Sequence, residues 1–183
     1  CAPSNSSTAS ITITPMPTAT ISYATPFCQG TGTAAVTQTG AAGGTYSSTP
    51  GLVINAATGL VDLNASTPNT YTVTYTIAAS AGCPVFTTTA PIVINPTITP
   101  ITGFSYTSPV CSNGTNPSPT GVAGFTTGGT YSSTPGLTIN ASTGVIDLAT
   151  STPNTYTVTY TVAASGCAPS NSSTASITIT PMP

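Results

Sequence analysis

The first seventeen and the last seventeen residues of this 183-residue chain are identical, letter for letter. The segment CAPSNSSTASITITPMP occupies residues 1–17 and again residues 167–183. Two further segments, TYSSTPGL at Thr45–Leu52 and STPNTYTVTYT at Ser66–Thr76, recur after an offset of 85 residues. Such self-similarity is typical of an array of structural repeats. The sequence therefore predicts a row of like modules, and its identical ends indicate a window taken from a longer array.

The repeats predict three parts in the chain. We expect residues 1–17 to be the end of a truncated preceding repeat, residues 18–98 to be repeat one and residues 99–183 to be repeat two. Each boundary falls in a proline-rich stretch. Because proline fixes φ and biases the preceding residue towards extended conformations, such linkers are expected to be semi-rigid spacers.

Alternation of apolar and polar residues predicts strands, and no stretch has a helical period. In Thr70–Ala78 every second residue is Tyr, Val or Ile and the residues between are mostly Thr, and repeat two has the same alternation from Tyr156 to Val162. This period of two is typical of a half-buried strand. The strands expected in repeat one are Ala19–Tyr23, Thr33–Thr37, Gly44–Ser48, Leu52–Asn55, Leu60–Leu63, Thr70–Ala78 and Val85–Ile94. Short strands separated by turns, with a hairpin at Ala56–Gly59, predict an all-β fold of tandem antiparallel β-sandwich modules.

Charge is almost absent. The chain has no Lys, Arg, His, Glu or Trp, and its only charged side chains are those of Asp62 and Asp147. Nucleic acid and anionic membrane surfaces are excluded as partners because both are bound through Lys and Arg. The apolar runs are too short for a membrane-spanning helix, so no membrane insertion is expected. Uncharged sheet edges are poorly protected against edge-to-edge pairing, which predicts self-association into a filament or with adjacent repeats of the same chain, or else edges that are shielded by Pro, bulges or sugars.

The five cysteines predict an oxidising, extracellular setting, since they recur regularly in a chain rich in Thr and Ser. Two pairings repeat properly from unit to unit. The within-repeat pairing joins Cys28 to Cys83 and Cys111 to Cys167, and leaves Cys1 for a partner outside the chain. The junction-spanning pairing joins Cys1 to Cys28 and Cys83 to Cys111, and leaves Cys167 for a partner further along the longer array. We favour the within-repeat pairing because the chain between Cys83 and Cys111 is expected to run largely in one direction.

Neither a catalytic site nor a cofactor is expected. Catalysis needs a nucleophile with a base, an acid–base pair or a metal, and the chain has no His or Lys to act as a base. Asp62 and Asp147 occupy matching positions of different repeats, so their carboxylates should lie about one module apart, and Asp62 is expected to orient a turn or a Ser hydroxyl. One carboxylate per repeat is also too few for a calcium site, and no metal site is predicted. Glycans remain a possible partner at five Asn-x-Ser/Thr sites: Asn5, Asn64, Asn113, Asn140 and Asn171.

The stretch Thr130–Cys167 carries a resemblance to a known family. Its pattern is GL-x-IN-x-x-TG, then STP-x-TYTVTYT and a late GC, and repeat one has nearly the same pattern. It resembles the Ig-like or cadherin-like tandem repeats of very large bacterial cell-surface adhesins, especially the type IX-secreted arrays of gliding bacteria. The resemblance implies a linear, extracellular array of Ig-like modules displayed on the cell surface, and it brings no catalytic residue.

The predicted function is therefore that of a structural segment, a stalk or filament shaft, of a repetitive extracellular surface adhesin or filament. Proline-rich linkers, disulfides and nearly identical units indicate a spacer that extends the protein, and they argue against a module that recognises a ligand. The alternative is a glycan- or surface-binding Ig-like module, which would present aromatic rings on an exposed face. The alternation predicts that the available rings mostly point inward: Tyr46, Tyr71, Tyr75, Tyr131, Tyr156 and Tyr160.

Overall fold

The structure, a computed structural model, describes residues 4–80 and 82–182. The chain divides into two compact units, unit one ending at Pro96 and unit two beginning at Thr97. Cys1 lies outside the described residues. The structure is all-β, as the sequence predicts, and each unit is β-sandwich-like with its own hydrophobic core.

Unit one is built around one four-stranded sheet and two pairs of strands. Its strands are β1 (Ala19–Ser22), β2 (Phe27–Cys28), β3 (Thr33–Ala34), β4 (Thr37–Gly40), β5 (Thr45–Ser48), β6 (Val61–Asp62), β7 (Asn69–Ile77) and β8 (Phe86–Asn95). The larger sheet has the order β2-β8-β7-β5, and the pairs are β1-β4 and β3-β6. All these pairings are antiparallel except that of β2, which runs parallel to the last residues of β8.

Unit two repeats the larger sheet. Its strands are β9 (Phe104–Ser105), β10 (Val110–Cys111), β11 (Thr120–Gly121), β12 (Thr130–Ser133), β13 (Thr155–Val162) and β14 (Asn171–Thr180). The four-stranded sheet has the order β10-β14-β13-β12, with β10 parallel to the end of β14. The registers match those of unit one: Tyr46 lies opposite Tyr75, and Tyr131 lies opposite Tyr160. The sequence repeat is therefore also a repeat of strand pairing.

The core of each unit is lined by alternate residues of its long hairpin. In unit one Tyr71, Val73 and Tyr75 of β7 are at most 2% exposed, and in β8 Ile92, which lies opposite Tyr71, and Ile94 are buried as well. Unit two buries the matching residues, which are Tyr156, Val158, Tyr160, Ile177 and Ile179. Burial on one face of a strand and solvent on the other is what the predicted period of two requires.

The strand expected at Leu52–Asn55 is reduced to an isolated bridge between Ile54 and Val61, and two further features of the sheets differ from the sequence-based expectation. The expected single strand Thr33–Thr37 is two strands, because β3 pairs with β6 whereas β4 pairs with β1. The second feature is the parallel strand β2, which is only two residues long and shows no alternation that could predict it. β2 and its counterpart β10 decide where the first cysteine of each unit lies.

The predicted hairpin turn at Ala56–Gly59 is present, and its glycine has the expected positive φ of 70°. A Cβ at Gly59 would lie 2.7 Å from Val36 and 2.9 Å from the ring of Tyr46, so only glycine fits without a shift. Its carbonyl oxygen accepts a hydrogen bond of 2.7 Å from the hydroxyl of Tyr23, which joins this turn to the segment that follows β1.

Candidate functional site

The chain enters each unit at one end of the long hairpin and leaves at the other. In unit one the segment before β1 passes the turn between β7 and β8, where the thiol of Cys83 donates to the carbonyl oxygen of Thr14 at 3.7 Å. The chain leaves after Asn95, the last residue of β8. A strand of ten residues spans about 30 Å at about 3.3 Å per residue. We call these two places the entry end and the exit end of the unit.

Unit two has the same polarity. At its entry end the side-chain amide of Asn171, the first residue of β14, donates to the carbonyl oxygen of Pro100 at 2.7 Å. The hydroxyls of Thr102 and Ser173 lie 2.7 Å apart beside it. The exit end is the last residue of β14, Thr180. In both units the chain therefore traverses the full length of the hairpin.

The first cysteine of each unit lies at the exit end. Cys28 pairs with Asn95 through the parallel ladder of β2 and β8. Cys111 likewise pairs with Thr180 through β10 and β14, and its sulfur lies 3.8 Å from the Thr180 hydroxyl. An early position in the sequence thus corresponds to a late position along the unit, because these two short strands run parallel to the last strand.

The second cysteine of each unit lies at the entry end. Cys83 closes the turn between β7 and β8, where its N–H donates to the carbonyl oxygen of Ser80 at 2.9 Å. Cys167 lies in the matching turn before β14, in which the N–H of Ala168 donates to the carbonyl oxygen of Ser165 at 2.9 Å. The two cysteines of one unit are therefore separated by the length of its last strand.

This arrangement corrects the within-repeat pairing of Cys28 with Cys83 and of Cys111 with Cys167. In the structure Cys83 and Cys111 are free thiols, whereas Cys28 and Cys167 are both disulfide-bonded. The physical reason is distance. Cysteines at opposite ends of a strand of about 30 Å cannot bring their Cα atoms within the roughly 7 Å that a disulfide needs. The junction-spanning bond from Cys83 to Cys111 is absent as well, and Cys1 lies outside the described residues.

The tyrosines are buried as predicted. The six rings expected to point inward are at most 7% exposed, namely Tyr46, Tyr71, Tyr75, Tyr131, Tyr156 and Tyr160. Their hydroxyls serve the fold. That of Tyr75 accepts from the N–H of Gly44 at 2.8 Å, and that of Tyr160 accepts from Gly129 in the same way. The rings are therefore part of the core and do not form an exposed aromatic platform.

Two further buried tyrosines were not expected from the sequence, because neither lies in a long alternating segment. Tyr23 donates to the carbonyl oxygen of Gly59 at 2.7 Å, and Tyr106 donates to that of Gly144 at 2.6 Å. Burial, together with the neighbouring Tyr46, raises the pKa of Tyr23 to about 12. Burial also raises the pKa of Tyr106 well above its ordinary value, with a smaller contribution from Tyr131. Both hydroxyls are therefore held as neutral donors.

The two carboxylates orient turns, as predicted for Asp62. The Asp62 carboxylate accepts from the N–H of Asn64 at 2.9 Å and from that of Ala65 at 3.2 Å. The Asp147 carboxylate accepts from the N–H of Ala149 at 3.0 Å and from the hydroxyl of Thr150 at 2.9 Å. Each carboxylate thus accepts hydrogen bonds from backbone N–H groups of its own turn.

Hydroxyls take the place of charges on the outer faces. The hydroxyls of Thr20 and Thr39 lie 2.7 Å apart across β1 and β4, and those of Thr155 and Thr178 lie 2.9 Å apart across β13 and β14. Among residues 4–80 and 82–182 no cluster of three or more His, Cys, Asp or Glu side chains could hold a metal ion. Over the same residues there is no helix of the length and hydrophobicity needed to cross a membrane.

Comparison with known proteins relates the chain to others by structure. No protein-family model and no curated sequence matches it. A SusE-like, surface-located polysaccharide-binding protein of Bacteroides thetaiotaomicron is 15% identical over 90% of this chain, with a TM-score of 0.31, and the match spans only 34% of that protein. A human protocadherin-24 fragment is 14% identical over 78% of this chain and 84% of its own, with a TM-score of 0.44. An I-band fragment of titin is 13% identical over 92% of this chain and 67% of its own, with a TM-score of 0.43. The likeness concerns the fold alone, that of tandem Ig-like and cadherin-like domains.

Proposed function

We propose that this chain is a structural segment, a stalk or filament shaft, of a repetitive extracellular surface adhesin or filament, and that it has no catalytic role. The observation that carries the proposal is the polarity of the units. Each unit takes in the chain at one end of its long hairpin and releases it at the other. A module of this kind adds its full length to the chain, which is the property that a spacer needs.

The parallel strand at each exit end supports a load-bearing role. β2 lies near the start of unit one and β8 at its end, and the two run parallel. Tension applied through the chain pulls such a pair in opposite directions along its length. The ladder hydrogen bonds are then loaded together in shear, whereas an antiparallel hairpin pulled at its open end loses them one at a time. β10 and β14 give unit two the same arrangement.

The chemistry of the surface fits an extracellular setting. Disulfide-bonded Cys28 and Cys167 are typical of secreted proteins, since cytosolic thiols are kept reduced. Because the net charge is only −2, changes in salt or pH should have little effect on the electrostatic interactions of the chain. The absence of Lys and Arg removes every trypsin site. These properties suit a fibre exposed to changing surroundings and to proteases.

Single-molecule force spectroscopy tests the shaft function directly. The full chain, carrying Cys83→Ser and Cys111→Ser so that it stays monomeric, is stretched from its two termini under reducing conditions. We expect two separate unfolding events, each releasing the contour length of one unit. The substitution Ser112→Pro removes the N–H that donates to the carbonyl oxygen of Thr180 at 3.0 Å at the exit end of unit two.

This variant should lower the unfolding force of unit two only. Unit one keeps the matching bond of 2.9 Å from the Gln29 N–H to Asn95 and serves as the internal control. Unfolding of both units without a distinct force peak, or an unchanged peak for unit two in the Ser112→Pro variant, would contradict a shaft loaded through its parallel strands.

A glycan- or surface-binding module remains the second candidate, since the hydroxyl groups of an outer face rich in Thr and Ser can hydrogen-bond sugars. Acrylamide quenching of tyrosine fluorescence separates the two candidates. Buried rings resist the quencher, so the native protein should show a quenching constant several-fold below that of the urea-unfolded chain. Binding of an oligosaccharide that shifts the tyrosine emission would favour the second candidate.

A further inference from the structure

The asparagines of the Asn-x-Ser/Thr sequences lie in different surroundings in the folded chain. An asparagine in such a sequence accepts an N-linked glycan in a surface loop of a secreted protein. The transferring enzyme has to reach two groups, the side-chain amide of the asparagine and the hydroxyl of the residue two positions later. The structure therefore separates sequences that offer both groups from sequences that do not. The candidates are Asn5, Asn64, Asn113, Asn140 and Asn171.

Asn171 is already engaged by the fold. It is the first residue of β14 and is half-buried. Its side-chain amide donates to the carbonyl oxygen of Pro100 at 2.7 Å, and its side-chain oxygen accepts from the N–H of Ser172 at 3.0 Å. The hydroxyl of Ser173, which completes the sequence, lies 2.7 Å from the hydroxyl of Thr102. Neither group that the enzyme needs is accessible here.

The Asn64 sequence lacks an accessible hydroxyl. Its third residue is Ser66, which is 1% exposed. The Ser66 hydroxyl accepts from the N–H of Val53 at 2.9 Å and donates to the carbonyl oxygen of Asp62 at 2.6 Å. The side chain of Asn64 is exposed, but an enzyme cannot contact the Ser66 hydroxyl while unit one is folded.

Asn140 is held inside a tight turn. Its side-chain oxygen accepts from the N–H of Ser142 at 2.9 Å and from that of Thr143 at 3.0 Å. Its backbone N–H and carbonyl oxygen make hydrogen bonds of 2.9 and 2.8 Å in the same hairpin. Asn55 accepts from the N–H of Ala57 at 2.9 Å in the matching turn of unit one, where no Asn-x-Ser/Thr sequence exists. The asparagine at this position therefore serves the turn.

Asn113 lies in a surface loop and offers both groups. It belongs to the turn after β10, which passes into residues 115–119 outside any strand. Asn113, Gly114 and Thr115 are all exposed. The N–H of Gly114 donates to the carbonyl oxygen of Cys111 at 2.9 Å and closes the turn. Within residues 4–80 and 82–182 no group forms a hydrogen bond with the side chain of Asn113 or of Thr115.

We propose that Asn113 is the N-glycosylation site of the repeats at residues 18–98 and 99–183. Gly30 occupies the matching position of unit one, two residues after Cys28, so only unit two would be modified there. The glycan would lie beside β10, the edge strand of its sheet, in a chain with almost no charged side chains to protect an edge. The inference rests on the extracellular setting of the proposed function. It can fail while the shaft function, which force spectroscopy tests, stands.

The reaction requires a lipid-linked oligosaccharide as the donor. The side-chain nitrogen of Asn113 attacks C1 of the first sugar and forms a C–N bond. The bond between C1 and the diphosphate oxygen breaks, and the lipid diphosphate leaves. The amide nitrogen loses one proton, and neither an oxidant nor a reductant takes part. The hydroxyl of Thr115 contacts the enzyme and is not consumed.

The test uses the folded full chain with Asn5→Gln, because residues 1–17 repeat the sequence that contains Asn171. The chain is incubated with a lipid-linked oligosaccharide and a purified single-subunit oligosaccharyltransferase that recognises Asn-x-Ser/Thr. Intact mass and peptide mapping then give the number and the position of the glycans. We expect one glycan per chain, at Asn113. Asn113→Gln should reduce the glycosylated fraction to less than about a tenth, whereas the matched control Asn64→Gln should leave it unchanged.

Two variants of Thr115 test recognition of the sequence. Thr115→Ser keeps the hydroxyl and should remain glycosylated, whereas Thr115→Ala should reduce the glycosylated fraction to less than about a tenth although Asn113 is still present. Both positions are exposed, so the circular dichroism spectrum should be unchanged.

Short synthetic peptides test whether the fold selects the site. Peptides centred on Asn64 and Asn140 should be glycosylated to an extent similar to that of a peptide centred on Asn113, because the buried hydroxyl and the tight turn exist only in the folded chain. Three results would each overturn the proposal: no glycan at Asn113 of the folded chain, equal modification of another asparagine in unit one or unit two, or peptides that show the same preference as the folded chain.

Discussion

Ile11 and Ile177 offer a matched test of what determines stability, because the same residue occurs in the same local sequence, ASITIT, in two surroundings. Ile177 is 0% exposed in the core of unit two, and Ile11 is 88% exposed. Replacing a buried Ile by Ala removes about three carbons and leaves a cavity, at a cost of about 2–5 kcal/mol. The same change at an exposed position is expected to stay within about 0.5 kcal/mol.

Urea unfolding of the reduced monomer, followed by circular dichroism, measures the difference. With an m-value of about 1–1.5 kcal/mol/M for a small domain, Ile177→Ala should lower the midpoint of unit two by about 2 M, and Ile11→Ala should leave both midpoints unchanged. Hydrogen exchange of peptides from each unit assigns the change to unit two. Equal effects of the two substitutions, or a shift below about 0.5 M for Ile177→Ala, would refute the claim that the tertiary sheet determines the role of this sequence.

Two further predictions follow from the buried polar groups. The hydroxyl of Ser66, which is 1% exposed, accepts from the N–H of Val53 at 2.9 Å and donates to the carbonyl oxygen of Asp62 at 2.6 Å. Ser66→Ala should therefore lower the free energy of unfolding of unit one by about 1–3 kcal/mol in a urea titration. Ser66→Thr keeps the hydroxyl and should recover part of this loss. Burial raises the pKa of Tyr23 to about 12. The unfolded chain therefore loses this proton at lower pH than the folded one, so the urea midpoint of unit one should fall as the pH rises from about 10 to 12. Tyr23→Phe should make this decline shallower, and the lost hydrogen bond should lower the stability by about 1 kcal/mol at neutral pH. A midpoint that is constant up to pH 12 would contradict this reasoning.

The sequence predicted those parts of the fold that local pattern determines. The alternation from Tyr71 to Ile77 and the hairpin turn ending at Gly59 both follow from neighbouring residues, and both are present. β2 and β10 were not predictable in this way, because two residues have no period and their pairing partners lie about 70 residues further along the chain. Short parallel ladders depend on the finished sheet and leave no local trace.

The cysteine pairing failed for the same reason. An early and a late cysteine in one repeat were expected to meet, yet the parallel pairing of β2 with the end of β8 places Cys28 at the exit end. Cys83 remains at the entry end in the hairpin turn. A short parallel ladder that leaves no local pattern in the sequence therefore places the two cysteines of the unit at opposite ends.

The positions of the cysteines also indicate what a disulfide can do in this chain. A bond within a unit would stabilise that unit by restricting its unfolded chain. Among residues 4–80 and 82–182, Cys83 and Cys111 are free thiols, and the core of each unit consists of tyrosines, isoleucines and other apolar side chains, with buried hydroxyls such as that of Ser66 beside them. A cysteine at the entry end or the exit end of a unit can form a disulfide only with a cysteine that lies at that same end. Because each unit has its own hydrophobic core, we expect reduction to leave both units folded, and the circular dichroism spectrum in reducing buffer would check this.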